Sequence, residues 1–147
     1  MKKPYQALIF DWDGTLADST SMIVNAVQQA FVENDFAMPS DSEASHIIGL
    51  ALPKAMQNLA PQANADEIFA LSESYKRLFL NPNNQMRLFQ DAQALLPSLK
   101  PDYWLTVATG KSRRGLDRAL TEVGLDNGFF LATRTVDECA SKPSPDM

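Results

Sequence analysis

An α/β fold, a doubly wound parallel sheet with an all-helical insertion, is expected from three features of this 147-residue chain. Short apolar runs at residues 7–10, 103–108 and 129–133 alternate with helical patterns, the signature of parallel strands joined by crossovers. From about residue 19 to residue 79 the apolar positions follow helical spacing, and no strand pattern interrupts them. Asn81-Pro82-Asn83-Asn84-Gln85 then forms the clearest polar, turn-rich linker in the chain. Both ends of the chain are therefore expected to build the core, residues 1–17 with 86–147, around a helical insertion at residues 18–85.

Taken in order, residues 7–10 read as a strand buried on both faces, because Ala-Leu-Ile-Phe is a continuous apolar run. Asp-Trp-Asp-Gly-Thr ends it and leaves Asp11 at the carboxyl edge, where open α/β sheets bind ligands. Asp18, Ser19 and Thr20 offer N-caps for a helix whose apolar stripe is Ile23, Ala26, Val27, Ala30 and Phe31. It ends near Asn34-Asp35, and Met38-Pro39 makes the break firm. Ser40 with Glu43 matches a capping box for a short helix carrying Ile47 and Ile48. Pro53 suits the first turn of the next helix, and Asn64 to Glu67 opens a longer one through Ile68, Leu71, Tyr75 and Phe79. Beyond the linker come a helix at 91–99, a strand at 103–108, a helix at 112–123 closed by Gly124, and a strand at 129–133.

Composition narrows the function classes. At 45% hydrophobic and 21% charged residues the chain reads as a globular, soluble protein. A net charge of -5 argues against a nucleic-acid partner. No apolar stretch approaches the roughly 20 residues that a bilayer span requires, and Met-Lys-Lys-Pro-Tyr-Gln lacks the apolar segment of a secretory signal. The single cysteine, Cys139, fits a reducing compartment, so the cytoplasm is the expected location. Lys111, Arg113, Arg114 and Arg118 cluster after the second strand and read for the most part as a solvated basic helix face.

Three segments carry chemistry. Asp11 and Asp13 flank the start of a Gly14 turn; by itself this is equally an ordinary Asp-Gly turn. Val107-Ala108-Thr109-Gly110-Lys111-Ser112 ends a second strand in a hydroxyl and a glycine, and Ser141-Lys142-Pro143-Ser144-Pro145 sets a lysine in a proline-stiffened loop. In this order they resemble motifs one, two and three of the haloacid dehalogenase superfamily, closest to its phosphoglycolate phosphatase-like branch. That branch has a Rossmann-like core and a helical cap inserted after the first motif.

The resemblance implies a magnesium-dependent phosphatase that hydrolyses a small phosphorylated metabolite, phosphoglycolate-like, through an aspartyl-phosphate. Asp11 would be the nucleophile and Asp13 the general acid and then base, with Mg2+ held by Asp11 and the backbone carbonyl of Asp13. Thr109, Gly110 and Gly14 would bind the phosphoryl group, and Lys142 would set an ammonium against both the phosphate and Asp11. His46, beside Ile47-Ile48, reads first as a cap-packing residue; because caps of this branch supply specificity, it and the Gly49 loop are also candidates for substrate contact, and Lys54 reads as a solvated helix residue.

The pattern also breaks. The family's fourth motif, an acidic pair after a further strand, completes the magnesium site, and the sequence reaches Met147 before it. Asp137, Glu138 and Asp146 follow no apolar strand in the expected way. In the family's sheet that further strand lies beside the first one. The expectation is thus a core incomplete at the C-terminus, in a truncated gene product, a deliberate fragment or half of an assembly, with self-association through the exposed edge of the first strand. Two other readings stay open: a sugar phosphomutase, and a catalytically silent fragment that retains the fold.

Overall fold

The computed structural model describes residues 4–147, which divide into two compact units, residues 4–18 with 86–147 and residues 19–85. The first unit is an α/β layer built on a fully parallel three-stranded sheet in the order β1 (Ala7–Phe10), β2 (Trp104–Ala108), β3 (Ala132–Arg134). Ala7 pairs with Trp104 and Phe10 with Val107, while Val107 also meets Thr133 in β3. All three strands point the same way. Their carboxyl ends, Phe10-Asp11, Ala108-Thr109 and Arg134-Thr135, are thereby gathered at one edge.

Side chains of the sheet sort by the period of two. Leu105 and Val107 are buried, together with Leu96 of helix α5 (Gln90–Leu99) and Leu116 and Leu120 of helix α6 (Arg113–Glu122). Positions of the other parity, Ala7, Ile9 and Trp104, are exposed. The expectation that β1 is buried on both faces is overturned, with Ile9 69% and Tyr5 68% exposed. The exposure belongs to the face and not to the edge position: Trp104 of the central strand β2 is 59% exposed on the same side, while the buried Leu105 and Val107 take the opposite side with residues of α5 and α6.

β3 begins three residues later than its apolar run suggests. Phe130 is buried edge-on against Trp12, and Phe129 packs against Phe130, on a bend entered through left-handed Asn127 and Gly128. Phe130 fills the core from an irregular segment, with Phe129 half-buried beside it, and the ladder is left to Ala132–Arg134.

The second unit is all-helical: α1 (Thr20–Glu33), α2 (Asp41–His46), α3 (Leu52–Leu59) and α4 (Ala65–Phe79). It has its own core, in which Val27, Phe31, Met56 and Leu71 are fully buried. Two capping boxes start its helices. Ser40 and Glu43 close the first turn of α2, and Asn64 accepts from the Asp66 and Glu67 N–H groups of α4 while Glu67 bonds back to the Asn64 N–H. Asn34, at the end of α1, ties it to α4 through a 3.0 Å bond to Ser74 Oγ.

Two expectations need adjustment here. Ser19 occupies the N-cap position of α1, but its side chain makes no capping bond. Helix α2 stops at His46, so Ile47 and Ile48 follow it in a turn that leads to Gly49, whose φ of 95° suits glycine. No helix among the described residues is long and apolar enough to cross a membrane.

Candidate active site

The loop after β1 is built around one carbonyl. Trp12 O accepts from the N–H groups of Thr15, Leu16 and Ala17 at 3.2, 3.0 and 3.0 Å, and the fully buried Trp12 indole anchors the loop below. Gly14 takes φ 73°, a conformation costly to other residues, and its N–H donates to Ala17 O at 2.9 Å. Gly14 is thus the turn residue that separates the two aspartates. Its N–H is already engaged, so the phosphoryl-binding expectation for Gly14 finds no open donor there. Two further bonds, Asp18 N to Arg87 O and Phe89 N to Leu16 O, both 2.9 Å, pin the far side of the loop.

On this frame Asp11 Oδ1 accepts from the Trp12 N–H at 2.8 Å and pairs with Lys142 Nζ at 2.9 Å. Both side chains are 33% exposed, and Asp11 Oδ2 makes no bond among the described residues. Lys142 also donates to Ala108 O at 3.2 Å, which ties the third segment to the end of β2. Thr109 is buried, donates its N–H to Arg134 O and accepts the Lys111 N–H on its hydroxyl. Gly110 follows it in the loop, and its N–H makes no bond among the described residues. Ser112 caps α6 by accepting from the Gly115 N–H at 3.1 Å.

Asp13 holds a partner that sequence reasoning assigned elsewhere. Lys111 Nζ lies 3.1 Å from Asp13 Oδ1, with the two side chains only 8% and 11% exposed. The reading of Lys111 as part of a solvated basic helix face is corrected. The signal lay in its place before the Ser112 cap: a residue there belongs to the strand-end loop and points with Thr109 and Gly110, not with α6.

Arg113 likewise does more than face solvent. It bonds Thr133 and pairs with Glu138 at 2.7 Å and Asp117 at 3.1 Å, while its N–H donates to Asp137. Glu138 in turn accepts from the Thr135 N–H at 2.8 Å. The Arg113 bond, followed by that of Thr135, pulls the Glu138 carboxyl below its ordinary range. Asp137 and Glu138 are therefore braces between the start of α6 and the loop after β3, the loop that continues to Lys142.

His46 and Gly49 belong to the helical unit. His46 is exposed and lines a recess of about 490 Å³ with Met38, Glu43 and Leu59, so it does not pack a core. Lys54 is exposed in α3.

For the magnesium ion implied by the resemblance, the donors at hand are oxygens, which suit a hard cation. Asp11, half-open with one oxygen unengaged, fits an ion that takes one or two carboxylates and completes its shell with water and substrate. No group of three or more His, Cys, Asp or Glu side chains able to hold a metal occurs among the described residues.

The family model for haloacid dehalogenase-like hydrolases matches residues 8–147. Among curated proteins, Probable phosphatase IndB of Dickeya dadantii is 33% identical over 147 residues, covering 95% of this chain and 63% of that protein. Tyrosine-protein kinase PtkA of Mycobacterium tuberculosis is 30% identical over 126 residues, 84% of this chain and 42% of that protein. The chain thus spans well under the full length of both. Among solved structures, a predicted phosphoglycolate phosphatase from Haemophilus somnus superposes with a TM-score of 0.83 at 22% identity, over 99% of this chain and 69% of that one. A hydrolase from Pseudomonas syringae gives 0.84 at 24% identity, over 96% and 66%. At these identities the structures speak for the fold.

Proposed function

The chain belongs to the haloacid dehalogenase-like hydrolases, and from that premise we propose that it is a magnesium-dependent phosphatase of a small, phosphoglycolate-like metabolite, working through an aspartyl-phosphate on Asp11. The observation that carries this reading is the Lys142 ammonium 2.9 Å from Asp11 Oδ1. A carboxylate attacking a phosphate dianion needs positive charge beside it, and Lys142 supplies that charge at the nucleophile. The names of the two curated relatives, a phosphatase and a tyrosine-protein kinase, both denote phosphoryl chemistry.

In the first half-reaction an Asp11 oxygen forms a bond to phosphorus, the bond from phosphorus to the ester oxygen breaks, and Asp13 gives its proton to the departing alcohol. In the second, water attacks the aspartyl-phosphate, Asp13 takes the water's proton, and inorganic phosphate leaves with Asp11 restored. The proton taken in one turnover is the proton given in the next. Thr109 and the open Gly110 N–H would hold the phosphoryl oxygens at the carboxyl edge of β2. Mg2+, held by Asp11 and the Asp13 carbonyl, would offset the phosphate charge.

The helical unit, through His46 and the Gly49 loop, is proposed to choose the substrate. Self-association through the edge of β1 is proposed from the exposure of Tyr5 and Ile9, and a reducing cytoplasmic setting from the single Cys139.

Phosphate release from a panel of small esters, with and without Mg2+, tests the reading in the unsubstituted chain and in Asp11→Asn, both checked for folding by circular dichroism. Release that needs Mg2+ and disappears in Asp11→Asn is expected. A folded chain that releases nothing, or an Asp11→Asn chain as active as the original, would overturn it. Transfer to an added sugar phosphate in place of water would identify a mutase.

A further inference from the structure

Lys111 is held by its backbone and its side chain alike. Its N–H is bound by the Thr109 hydroxyl at 3.2 Å, its carbonyl by the Val136 N–H at 3.2 Å, and its ammonium by Asp13 at 3.1 Å. Asp13 is held just as closely from the other side, by the Gly14 turn and by the pairing of its backbone with Ala17. With both side chains about nine-tenths buried, the pair is little screened by water, and a carboxylate that lost this partner would have strong cause to move.

The geometry points to Lys111 as a positioning residue that holds the Asp13 carboxylate at the place where it exchanges a proton with the leaving oxygen. This rests on the phosphatase reading of Asp11 and Asp13. Proton transfer requires the carboxyl within hydrogen-bond reach of the oxygen that receives the proton, so displacement of Asp13 harms that step before it harms substrate binding. Esters differ in how much they need the step. An alkyl phosphate leaves as a strongly basic alkoxide and depends on it, whereas p-nitrophenyl phosphate leaves as a stabilised phenolate and hardly does.

The test compares Lys111→Met and Lys111→Arg with the unsubstituted chain on an alkyl phosphate and on p-nitrophenyl phosphate, with crystal structures of both variants. General acid catalysis contributes about 100-fold or more, so Lys111→Met is expected to lose roughly that in kcat on the alkyl ester, with KM little changed, and only about threefold on p-nitrophenyl phosphate. Lys111→Arg restores most of the loss, and Asp13 is displaced in the Met variant alone. If Lys111→Met does not fold, Lys111→Gln, neutral and shorter, takes its place in the same comparison. Equal losses on both esters, or an Asp13 that stays in place without Lys111, would overturn the proposal. Absence of turnover in the unsubstituted chain would sink the phosphatase reading instead, while the position of Asp13 in the variant structures would still decide the role of Lys111.

Discussion

Glu138 shows how charge is used around the site at the scale of single residues. Its carboxylate joins Arg113 to the Thr135 backbone, and its pKa is lowered first by the Arg113 bond and then by that of Thr135. A carboxyl with a depressed folded pKa contributes stability above its unfolded pKa of about 4.3 and loses that contribution as pH falls through the folded value. Thermal denaturation of Glu138→Gln against the parent is expected to show a lower midpoint at pH 7, and the gap should close under acid. A gap that persisted at low pH would contradict this account. Little of this brace was legible in advance, because a charge run after a strand looks the same whether it is solvated or paired across 25 residues. Asp11, Asp13 and Lys142 stood out because the segments that carry them resemble, in order, three motifs of the haloacid dehalogenase superfamily; alone, the two aspartates read equally as an Asp-Gly turn and Lys142 as an exposed lysine. Lys111 was hidden because proximity to α6 made it look like part of that helix.

Among elements, the helices announce themselves by their ends. Ser40 with Glu43 and Asn64 with Glu67 both form reciprocal capping boxes, and Ser112 and Gly124 bound α6 where sequence places them. Removing the Asn64 side chain leaves two N–H groups of α4 without their acceptor, so Asn64→Ala should cost about 1 kcal/mol. Chemical denaturation that found no change in midpoint would show that water replaces the cap at no cost. Strands were harder to bound, since their signal is apolar run length. Phe129 and Phe130 extend the run that ends in β3, yet Phe130 packs against Trp12 from a bend and Phe129 against Phe130, and β1 has the composition of a central strand in an edge position. In both cases tertiary neighbours that lie far away in sequence decide the outcome.

For the molecule as a whole, the parallel sheet brings three distant segments to one edge: the loop after β1, the loop after β2 and the loop after β3. That architecture follows from the alternation of strands and helices, whereas the exposure of one sheet face does not, because composition cannot say which side of the sheet the helices cover. Ile9 and Tyr5 lie open at the edge of β1, and this is the basis for proposing self-association. Sedimentation velocity over a range of concentrations is expected to show an associating species that Ile9→Lys weakens, since a charge on an edge strand opposes pairing. A monomer at all concentrations, indifferent to the substitution, would remove the proposal.

The claim on which the rest depends is covalent chemistry at Asp11. Rapid acid quench of the chain turning over a phosphate ester, followed by peptide mapping, asks for it directly. The account predicts a phosphoryl group on the peptide containing Asp11, absent from Asp11→Asn. Turnover with no adduct there, or with the adduct on another residue, would contradict it.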